Sequence, residues 1–376
     1  MKQTLALLTI AATLMATGCT SDDQYSWDDD FADLTATDTI NISINWSGQS
    51  ALVSGDDYGY VSTQGADVTV SAATNRYLQL TLSGTSADGS LTIYSWKKLG
   101  VVLNGLQLTN ADGPAINNQC GKAFYVTLPA GTSSTLADGI SYAERTIDQK
   151  ATLFSEGQVY LRGTGTLTVN AAAKNGIASD DYIVMEGGTV NVNVAATGSN
   201  GIKVNDGVTI SGGALSISVL ADGARGIKSN ARTTISGGQT TITTSGDCKI
   251  ETTDGVQDTT TCAGIKSDSL FTMTAGVLTI QSSGDGGKGV NCSEDIVISG
   301  GTLSVTTTGS NNVGKPKGLK SDTGIIVSGG STTVTVSKSW ALDNGTDSDE
   351  PEDRVTIKGT PTTLTLAKRQ VAIRYD

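Results

Sequence analysis

The sequence repeats at an interval of 25 residues, and this period constrains the fold more than any other feature. Two sequence markers show this period: a pair of small residues, usually Gly-Gly, and a glycine followed by an aliphatic residue. Both recur at intervals of 25, 25, 38, 25 and 29 residues. Two markers with one set of intervals indicate stacked structural repeats. The first marker is Gly187-Gly188, Gly212-Gly213, Gly237-Gly238, Ala275-Gly276, Gly300-Gly301 and Gly329-Gly330. The second is Gly176-Ile177, Gly201-Ile202, Gly226-Ile227, Gly264-Ile265, Gly289-Val290 and Gly318-Leu319.

Apolar and polar residues alternate inside each repeat. The runs 208–210 and 215–219 both show this alternation, which is typical of strands with one buried face. The glycine pair between them supplies a turn that can adopt positive φ. A third run, 201–204, precedes a further turn. Each repeat therefore predicts three short strands and three turns.

A unit of this size cannot bury its own apolar side, so the repeats must stack. We predict an all-β fold, a right-handed single-stranded parallel β-helix with three sheets and rungs of about 25 residues. A β-propeller needs longer blades, and the signatures of leucine-rich repeats are absent. We extend the helix back to residue 40 and expect residues 354–375 to form closing strands that cover the open end. One buried ladder is predicted from Ile177, Ile202, Ile227, Ile265, Val290 and Leu319.

Composition excludes several classes of function. The 376 residues contain no histidine, which excludes catalytic triads, zinc sites and pH switches that depend on imidazole. The formal net charge is −12, from 25 basic and 37 acidic residues, and such a chain repels nucleic acid. Catalysis, if present, must use carboxylates, lysine, arginine or a hard metal.

The first residues have the pattern of a secretory leader. Lys2 precedes an apolar run from Leu5 to Met15, which is too short for a membrane span. The residues that follow, 16–19, end in Cys19 and resemble a bacterial lipobox. This implies cleavage before Cys19 and its lipidation; an ordinary signal peptide is the alternative. We divide the chain into a lipoprotein signal peptide (1–18), a polar tether (19–39) and a β-helix domain (40–376), and expect a lipid anchor at the bacterial outer membrane or cell surface.

One repeat carries a 13-residue insertion, since its interval is 38 rather than 25 residues. Cys248 and Cys262 flank this insertion. In the oxidising compartment that the leader implies, we expect them to form a disulfide across a protruding loop. Cys120 and Cys292 are expected to be buried thiols, although a bridge between them is left open.

Several segments carry a family resemblance. They are residues 102–110 (Val-Leu-Asn-Gly-Leu-Gln-Leu-Thr-Asn), 115–116, 136–139 and 163–169, together with the recurring Gly-Ile-Lys-Ser-Asp motif. Over about residues 40–345 the chain resembles the bacterial carbohydrate-binding domain-containing lipoprotein family, which has a pectate-lyase-like right-handed parallel β-helix. The resemblance implies binding of cellulose and acidic plant polysaccharides, with calcium, and no demonstrated lyase activity.

A column of lysines follows the second marker. It consists of Lys203, Lys228, Lys266 and Lys320, with Ala178 and Asn291 in the same slot. Alternation directs these side chains outward, where stacked lysines repel one another. They either form a cationic stripe that pairs with uronate carboxylates or pair with the acidic and amide residues that follow them. We add one aromatic residue to the carbohydrate-binding set, Trp340, which lies in the turn before the last repeat. The other aromatic residues follow no period, and we expect them to pack in the core or the cap; they include Trp46, Trp96, Tyr94 and Tyr182.

Calcium is the cofactor that the resemblance implies, and it binds six to eight oxygens from carboxylates, amides and carbonyls. The candidate ligands lie on turns near the Gly-Ile-Lys strand and are Asp180, Asp181, Asp268, Asp285 and Asp322. Aspartates in turns also serve simply as turn formers. The family favours an acidic residue after Gly-Ile-Lys-Ser, whereas Asn205, Asn230 and Ser293 stand at three of these positions.

Three functions are compatible with these features. The leading hypothesis is a lipid-anchored, non-catalytic protein that binds an acidic polysaccharide or cellulose, assisted by calcium. The second is a calcium-dependent, pectate-lyase-like enzyme in which lysine abstracts the proton α to a uronate carboxylate. The third is an adhesin or surface fibre without a ligand.

Overall fold

The computed structural model describes residues 39–343 and three further strands at 355–357, 363–367 and 374–375. The predicted leader, Cys19 and almost all of the tether lie outside these residues. Every regular element described is a β-strand, and the parallel strands stack into a β-solenoid of about 11 turns. No helix in the described part is long and apolar enough to cross a membrane.

The strands follow one another with short connections. The N-terminal strands are β1 (Thr39–Ser47), β2 (Ser50–Ser54), β3 (Val61–Gln64), β4 (Asp67–Ala72), β5 (Tyr77–Ser86), β6 (Ser90–Ser95), β7 (Leu99–Leu103), β8 (Gln107–Asn110), β9 (Ile116–Asn118), β10 (Phe124–Leu128), β11 (Ser133–Asp138), β12 (Ala151–Ser155), β13 (Val159–Gly163) and β14 (Thr166–Ala171).

The repeat region and its continuation contain β15 (Asn175–Ser179), β16 (Tyr182–Met185), β17 (Thr189–Val194), β18 (Ile202–Val204), β19 (Gly207–Ile210), β20 (Ala214–Val219), β21 (Arg225–Ser229), β22 (Arg232–Ile235), β23 (Gln239–Thr244), β24 (Lys249–Thr253), β25 (Val256–Thr260), β26 (Ala263–Ser267), β27 (Phe271–Met273), β28 (Val277–Ser282), β29 (Lys288–Cys292), β30 (Ile296–Ile298), β31 (Thr302–Thr307), β32 (Lys317–Ser321), β33 (Ile325–Val327), β34 (Ser331–Val336), β35 (Trp340–Asp343), β36 (Val355–Ile357), β37 (Thr363–Ala367) and β38 (Arg374–Tyr375).

Each repeat contributes one strand to each of three parallel ladders, as the sequence predicts. Ladder 1 is a separate 12-stranded sheet that runs from β3 to β35 and contains the Gly-Ile-Lys strands. Ladder 2 contains β16, β19 and β22, and ladder 3 contains β17, β20 and β23. Ladders 2 and 3 count as one 24-stranded sheet rather than two, because the ten-residue strand β5 pairs with both β7 and β8. The strands β36 to β38 add to these ladders in parallel.

The N-terminal end of the solenoid is finished by antiparallel pairing. β2 folds back on β1, and β3 folds back on β4. The edges of β1 and β4, which would otherwise be open to another chain, are thereby covered.

The predicted aliphatic ladder is confirmed. Ile177, Ile202, Ile227, Ile265, Val290 and Leu319 are direct register partners in ladder 1 and are fully buried. The ladder also continues in both directions, through Leu153 to the N-terminal side and Leu342 to the C-terminal side. A single hydrophobic core therefore runs the length of the solenoid.

The glycine pairs stack in one line, as predicted. The second glycine of each pair has positive φ, for example +76° at Gly213. A Cβ placed on Gly213 would lie 2.5 Å from the carbonyl oxygen of Gly188 in the preceding rung, so glycine is required there for both reasons.

The 13-residue insertion protrudes as expected, but the predicted disulfide is not present. The insertion forms an exposed antiparallel hairpin of β24 and β25, with a positive-φ turn at Asp254-Gly255. Cys248 and Cys262 are buried free thiols at its base. Each sulfur has its own acceptor, Oδ1 of Asp285 at 3.3 Å and the carbonyl oxygen of Gly246 at 2.7 Å. Burial and these hydrogen bonds hold the base of the hairpin in place without a covalent link.

Cys120 and Cys292 are buried, as expected, and within the described residues neither sulfur belongs to a disulfide.

The fit between rungs gives a first prediction. A Cβ at Gly201 would lie 2.4 Å from Cγ2 of Ile217 and 2.6 Å from the carbonyl oxygen of Gly226. We expect Gly201→Ala to lower the free energy of unfolding by ~1–3 kcal/mol, because the core cannot absorb the extra methyl group without moving. Chemical denaturation measures this.

Gly121→Ala is the matched control, since nothing lies within 4 Å of the Cβ that it would add. We expect its stability to stay within about 0.5 kcal/mol of the parent. A Gly201→Ala protein as stable as the control would contradict the close packing of the rungs.

Candidate functional site

The lysines of the repeat form a column in register on the outward face of ladder 1. Lys203 pairs with Lys228, Lys228 with Lys266, Lys266 with Asn291, and Asn291 with Lys320. Their neighbours on either side are buried, while the lysines are partly exposed. Adjacent members are one strand spacing apart, about 4.8 Å. We call Lys203, Lys228, Lys266, Asn291 and Lys320 the lysine column.

The lysines differ in their partners. Lys266 Nζ lies 2.8 Å from Oδ1 of Asp268, and Lys320 makes an ion pair with Asp322. Among the residues that the structure describes, no hydrogen bond or ion pair reaches the ammonium group of Lys203 or Lys228.

The difference follows from the residue two positions after each lysine. Asp268 and Asp322 follow the paired lysines, whereas Asn205 and Asn230 follow Lys203 and Lys228. The two asparagines bond along their own row instead, with Asn230 Nδ2 donating to Asn205 Oδ1 at 3.2 Å. Pairing with the residue that follows, one of the two alternatives for the lysine column, is therefore found at Lys266 and Lys320 and not at Lys203 and Lys228.

A second row of cations lies beside the column and was not predicted. Arg225 stands three residues before Lys228, and Lys288 and Lys317 occupy the same register two and three rungs further on. The row breaks at Ala263, so it shows no regular period in the sequence. Its signal in the sequence is the position of its members, three residues before Lys228, Asn291 and Lys320. Lys317 makes an ion pair with Asp343, and Arg225 Nη1 donates to the carbonyl oxygen of Gly223 at 2.7 Å.

Burial and mutual repulsion make two of these lysines less basic. Burial, together with the positive charges of Lys317 and Lys320, lowers the pKa of Lys288 to about 8. Burial likewise lowers the pKa of Lys228, with Arg225 as the strongest charge acting in the same direction. Lys288 Nζ keeps one hydrogen bond, to Thr261 Oγ1 at 3.1 Å.

An acidic cluster adjoins the column on its N-terminal side. One oxygen each of Asp148, Glu156 and Asp180 lie within 4.8 Å of one another. Lys150 forms ion pairs with Asp148, at 2.6 Å, and with Asp180. Burial, together with the neighbouring charge of Asp180, raises the pKa of Glu156 to about 7, and the positive charge of Lys150 offsets this only in part. This set of oxygens can bind a hard cation if Lys150 moves aside.

Of the cluster, Asp180 was predicted, and Asp148 and Glu156 were not. Glu156 precedes Asp180 in the same row, because Ser155 pairs with Ser179. The interval between Glu156 and Asp180 is 24 residues instead of 25, so the repeat does not show that the two residues share a row.

The structure does not bring the five predicted calcium ligands together. Asp180 and Asp268 are three rungs apart, about 14 Å, and Asp322 lies two rungs beyond. Asp268 and Asp322 are engaged by lysines, and Asp181 accepts a hydrogen bond from Gln158. Burial and Asp206 contribute to a raised pKa of Asp181.

Asp285 has a structural role instead of the predicted metal-binding one. It is buried, and both oxygens accept hydrogen bonds, from the thiol of Cys248, Oγ of Ser310 and the backbone N–H groups of Asn312, Val313 and Gly314. Burial opposes its ionisation, but these donors outweigh it and hold the pKa of Asp285 well below its usual range. The carboxylate therefore anchors the four-residue insertion near 311–317.

The predicted aromatic residue Trp340 begins β35 and pairs with Lys317 in register. Its backbone therefore lies at the C-terminal end of the second cation row. The orientation of its side chain is outside what the structure describes.

Lys288 gives a pH-dependent prediction. Between pH 8 and 10.5 the folded protein has lost the Lys288 proton and the unfolded chain still holds it, so the stability of the parent rises with pH in this window. We expect Lys288→Met to be more stable than the parent at pH 7, by ~1–3 kcal/mol, and this advantage to shrink as the pH rises above 8.

Denaturant unfolding at several pH values between 7 and 10 measures the difference, with the exposed Lys249→Met as control. The control should show no comparable change across the window. A constant difference between Lys288→Met and the parent would show that Lys288 is not held in a less basic state.

The chain is similar to a solved structure and to a curated protein. A solved polysaccharide lyase-like protein from C. thermocellum, studied as a gadolinium derivative, is 25% identical, with a TM-score of 0.55 over 69% of this chain and 97% of that chain. A curated carbohydrate-binding domain-containing protein from Acetivibrio thermocellus is 30% identical over 115 residues, which is 29% of this chain and 40% of that protein. The chain thus matches less than half the length of this curated relative.

A family model, described as carbohydrate-binding domain-containing protein, matches residues 64–230 and 218–312. The matched residues include ladder 1 from β4 to β29 and the lysine column up to Asn291. Together they make up more than half of the 376 residues. The chain belongs to the family of carbohydrate-binding domain-containing proteins.

Proposed function

We propose that the protein binds an acidic polysaccharide along the outward face of ladder 1, with the lysine column pairing with uronate carboxylates. The observation that carries this proposal is the pair Lys203 and Lys228, which are stacked in register without a carboxylate partner among the described residues. Two such ammonium groups favour an anion supplied from outside. Membership of the carbohydrate-binding family supports a polysaccharide as that anion's source.

The spacing of the column also suits a linear polymer. Five positions of the column follow one another along the solenoid axis at intervals of about 4.8 Å. Carboxylates repeated along a polysaccharide chain can meet several of these positions at once, so that individually weak exposed ion pairs add. The second cation row, Arg225, Lys288 and Lys317, raises the local positive potential on a protein that is acidic as a whole.

Calcium belongs to the proposal at the acidic cluster. Asp148, Glu156 and Asp180 offer hard oxygen ligands of the kind that calcium prefers. Three oxygens fall short of the six to eight that calcium takes, and carboxylates of the ligand can supply others. Lys150 occupies this place through its two ion pairs, so calcium must displace it.

A lyase activity is the second candidate function, and the lowered pKa of Lys228 favours it. A less basic lysine has a larger fraction of the free amine that proton abstraction α to a carboxylate requires. The polysaccharide lyase-like protein that resembles this chain also directs attention to that chemistry.

The main prediction concerns the two unpaired lysines. We expect Lys203→Ala combined with Lys228→Ala to weaken binding of hexagalacturonate by about tenfold or more, since each lost charge contact contributes on the order of 1 kcal/mol. Alanine is compatible with the fold at this position, because Ala178 occupies it in the preceding repeat. Isothermal titration with hexagalacturonate at low and high salt measures the effect, and affinity of the parent should fall with salt.

Arg232→Ala is the control for loss of a charge outside the column, since it removes one positive charge from ladder 2 in the repeat that contains Lys228. Fully methyl-esterified hexagalacturonate is the matched uncharged ligand. Equal binding of hexagalacturonate by the double variant and the parent would overturn the proposal. Titration of the parent with hexagalacturonate in EDTA, and titration of Glu156→Gln, test whether calcium assists binding. Absorbance of an unsaturated product in the same samples tests the lyase alternative.

Anchoring through a lipid at Cys19 is part of the same proposal and places the binding face at the outer membrane or cell surface. Cys19→Ser should release the protein into the soluble fraction of the bacteria that produce it, because the lipobox-like sequence then lacks its acceptor. Membrane sedimentation with immunoblotting measures this. If the variant sediments with membranes as the parent does, the anchor is not at Cys19.

A further inference from the structure

The outward face of ladder 1 does not end at the acidic cluster but continues to the N-terminal rungs. The row that contains Asp180 and Glu156 passes through Gln119 to Tyr94, which pairs with Ser71. The antiparallel pairing of Val61 with Val70 then places Tyr60 beside Ser71. The lysine column at one end of this face and the two tyrosines at the other therefore lie on the same side of the same sheet.

Aromatic side chains that face solvent are concentrated at this end. In the described part of the chain, nine large apolar side chains are exposed and two of them are aromatic, Tyr58 at 56% and Trp96 at 43%. Tyr58 lies two residues before Tyr60, and Trp96 lies two residues after Tyr94. Both pairs thus flank the N-terminal end of the row.

The loop that carries Tyr58 is held in one conformation. Asp56 accepts hydrogen bonds from the N–H groups of Tyr60 and Val61, both at 2.9 Å. The rings of Tyr58 and Tyr60 stack with centroids 5.5 Å apart and planes 15° apart. Arg76 donates to the hydroxyl of Tyr58 at 2.8 Å and to the carbonyl oxygen of Thr39 at 3.3 Å, which ties the ring to β1.

We propose that Tyr58, Tyr60, Tyr94 and Trp96 form a second subsite, one that binds uncharged pyranose rings of a polysaccharide. Aromatic rings offer flat apolar faces that stack on the C–H face of a sugar, and tyrosine and tryptophan supply this area at a low cost in side-chain entropy. The fixed loop adds pre-organisation, which lowers the entropic cost of binding.

This inference rests on the proposed function and divides its binding face into two chemically different parts. Tyr94 lies four rungs from Asn205 in the same row, about 19 Å along the axis. A polysaccharide of several sugar units can span that distance. Its uncharged rings would stack at the aromatic end while its carboxylates meet the lysine column.

The test uses two oligosaccharides of equal length, cellohexaose as the uncharged probe and hexagalacturonate as the charged one. We expect Tyr58→Ala combined with Trp96→Ala to weaken cellohexaose binding by about tenfold and hexagalacturonate binding much less. The ring-preserving pair Tyr58→Phe and Trp96→Phe should keep most of the affinity for cellohexaose, which a role of these residues in folding alone would not require.

Ile140→Ala is the control, because Ile140 is 79% exposed and belongs to neither end of the face. If the parent does not bind cellohexaose, or if the alanine pair binds it as the parent does, the subsite proposal is wrong. The double variant of Lys203 and Lys228 separates this failure from that of the proposed function: it should lose hexagalacturonate and retain cellohexaose. Loss of both ligands in the aromatic variant without unfolding would mean one undivided site and would also overturn the proposal.

Discussion

In-register parallel stacking is the constraint on which the rest of this structure depends. Each rung lies one strand spacing from the next, so a residue repeated every 25 positions becomes a continuous line in space. Inside the solenoid this line is the aliphatic ladder from Ile177 to Leu319, and outside it is the lysine column. The rungs fit closely enough that glycine is needed where backbone and core meet, as at Gly201. Insertions are confined to turns, which leaves the register of the strands unchanged on both sides of the hairpin.

The same stacking creates an electrostatic conflict. Like charges one strand spacing apart destabilise a sheet unless they are offset. At Lys266 and Lys320 an aspartate two residues later in the same rung provides the offset. At Lys203 and Lys228 asparagine stands in that place, so no described carboxylate forms an ion pair with either lysine. A bound polyanion would relieve the repulsion, which links the departure from the family's acidic pattern to the proposed function.

The sequence predicts the features that follow the 25-residue period, and sequence analysis misses residues where that period is broken. The three ladders, the line of glycine pairs and the lysine column all follow from the repeat, and all are found. Glu156 was missed because one interval is 24 residues, and the row of Arg225, Lys288 and Lys317 was missed because Ala263 interrupts it. The expected calcium ligands lie apart for a different reason: aspartates in one row are separated by several rungs, and Asp285 is turned inward to five donors. The disulfide was inferred from spacing and compartment, whereas the local geometry gives each thiol a separate acceptor.

The most direct test of the central claim is a crystal structure of the protein with hexagalacturonate bound. We expect carboxylates of the ligand within hydrogen-bonding distance, about 3 Å, of Nζ of Lys203 and Lys228, with the oligosaccharide parallel to the solenoid axis on ladder 1. A ligand bound on ladder 2 or ladder 3, or one crossing ladder 1 without contact to either lysine, would contradict the central claim.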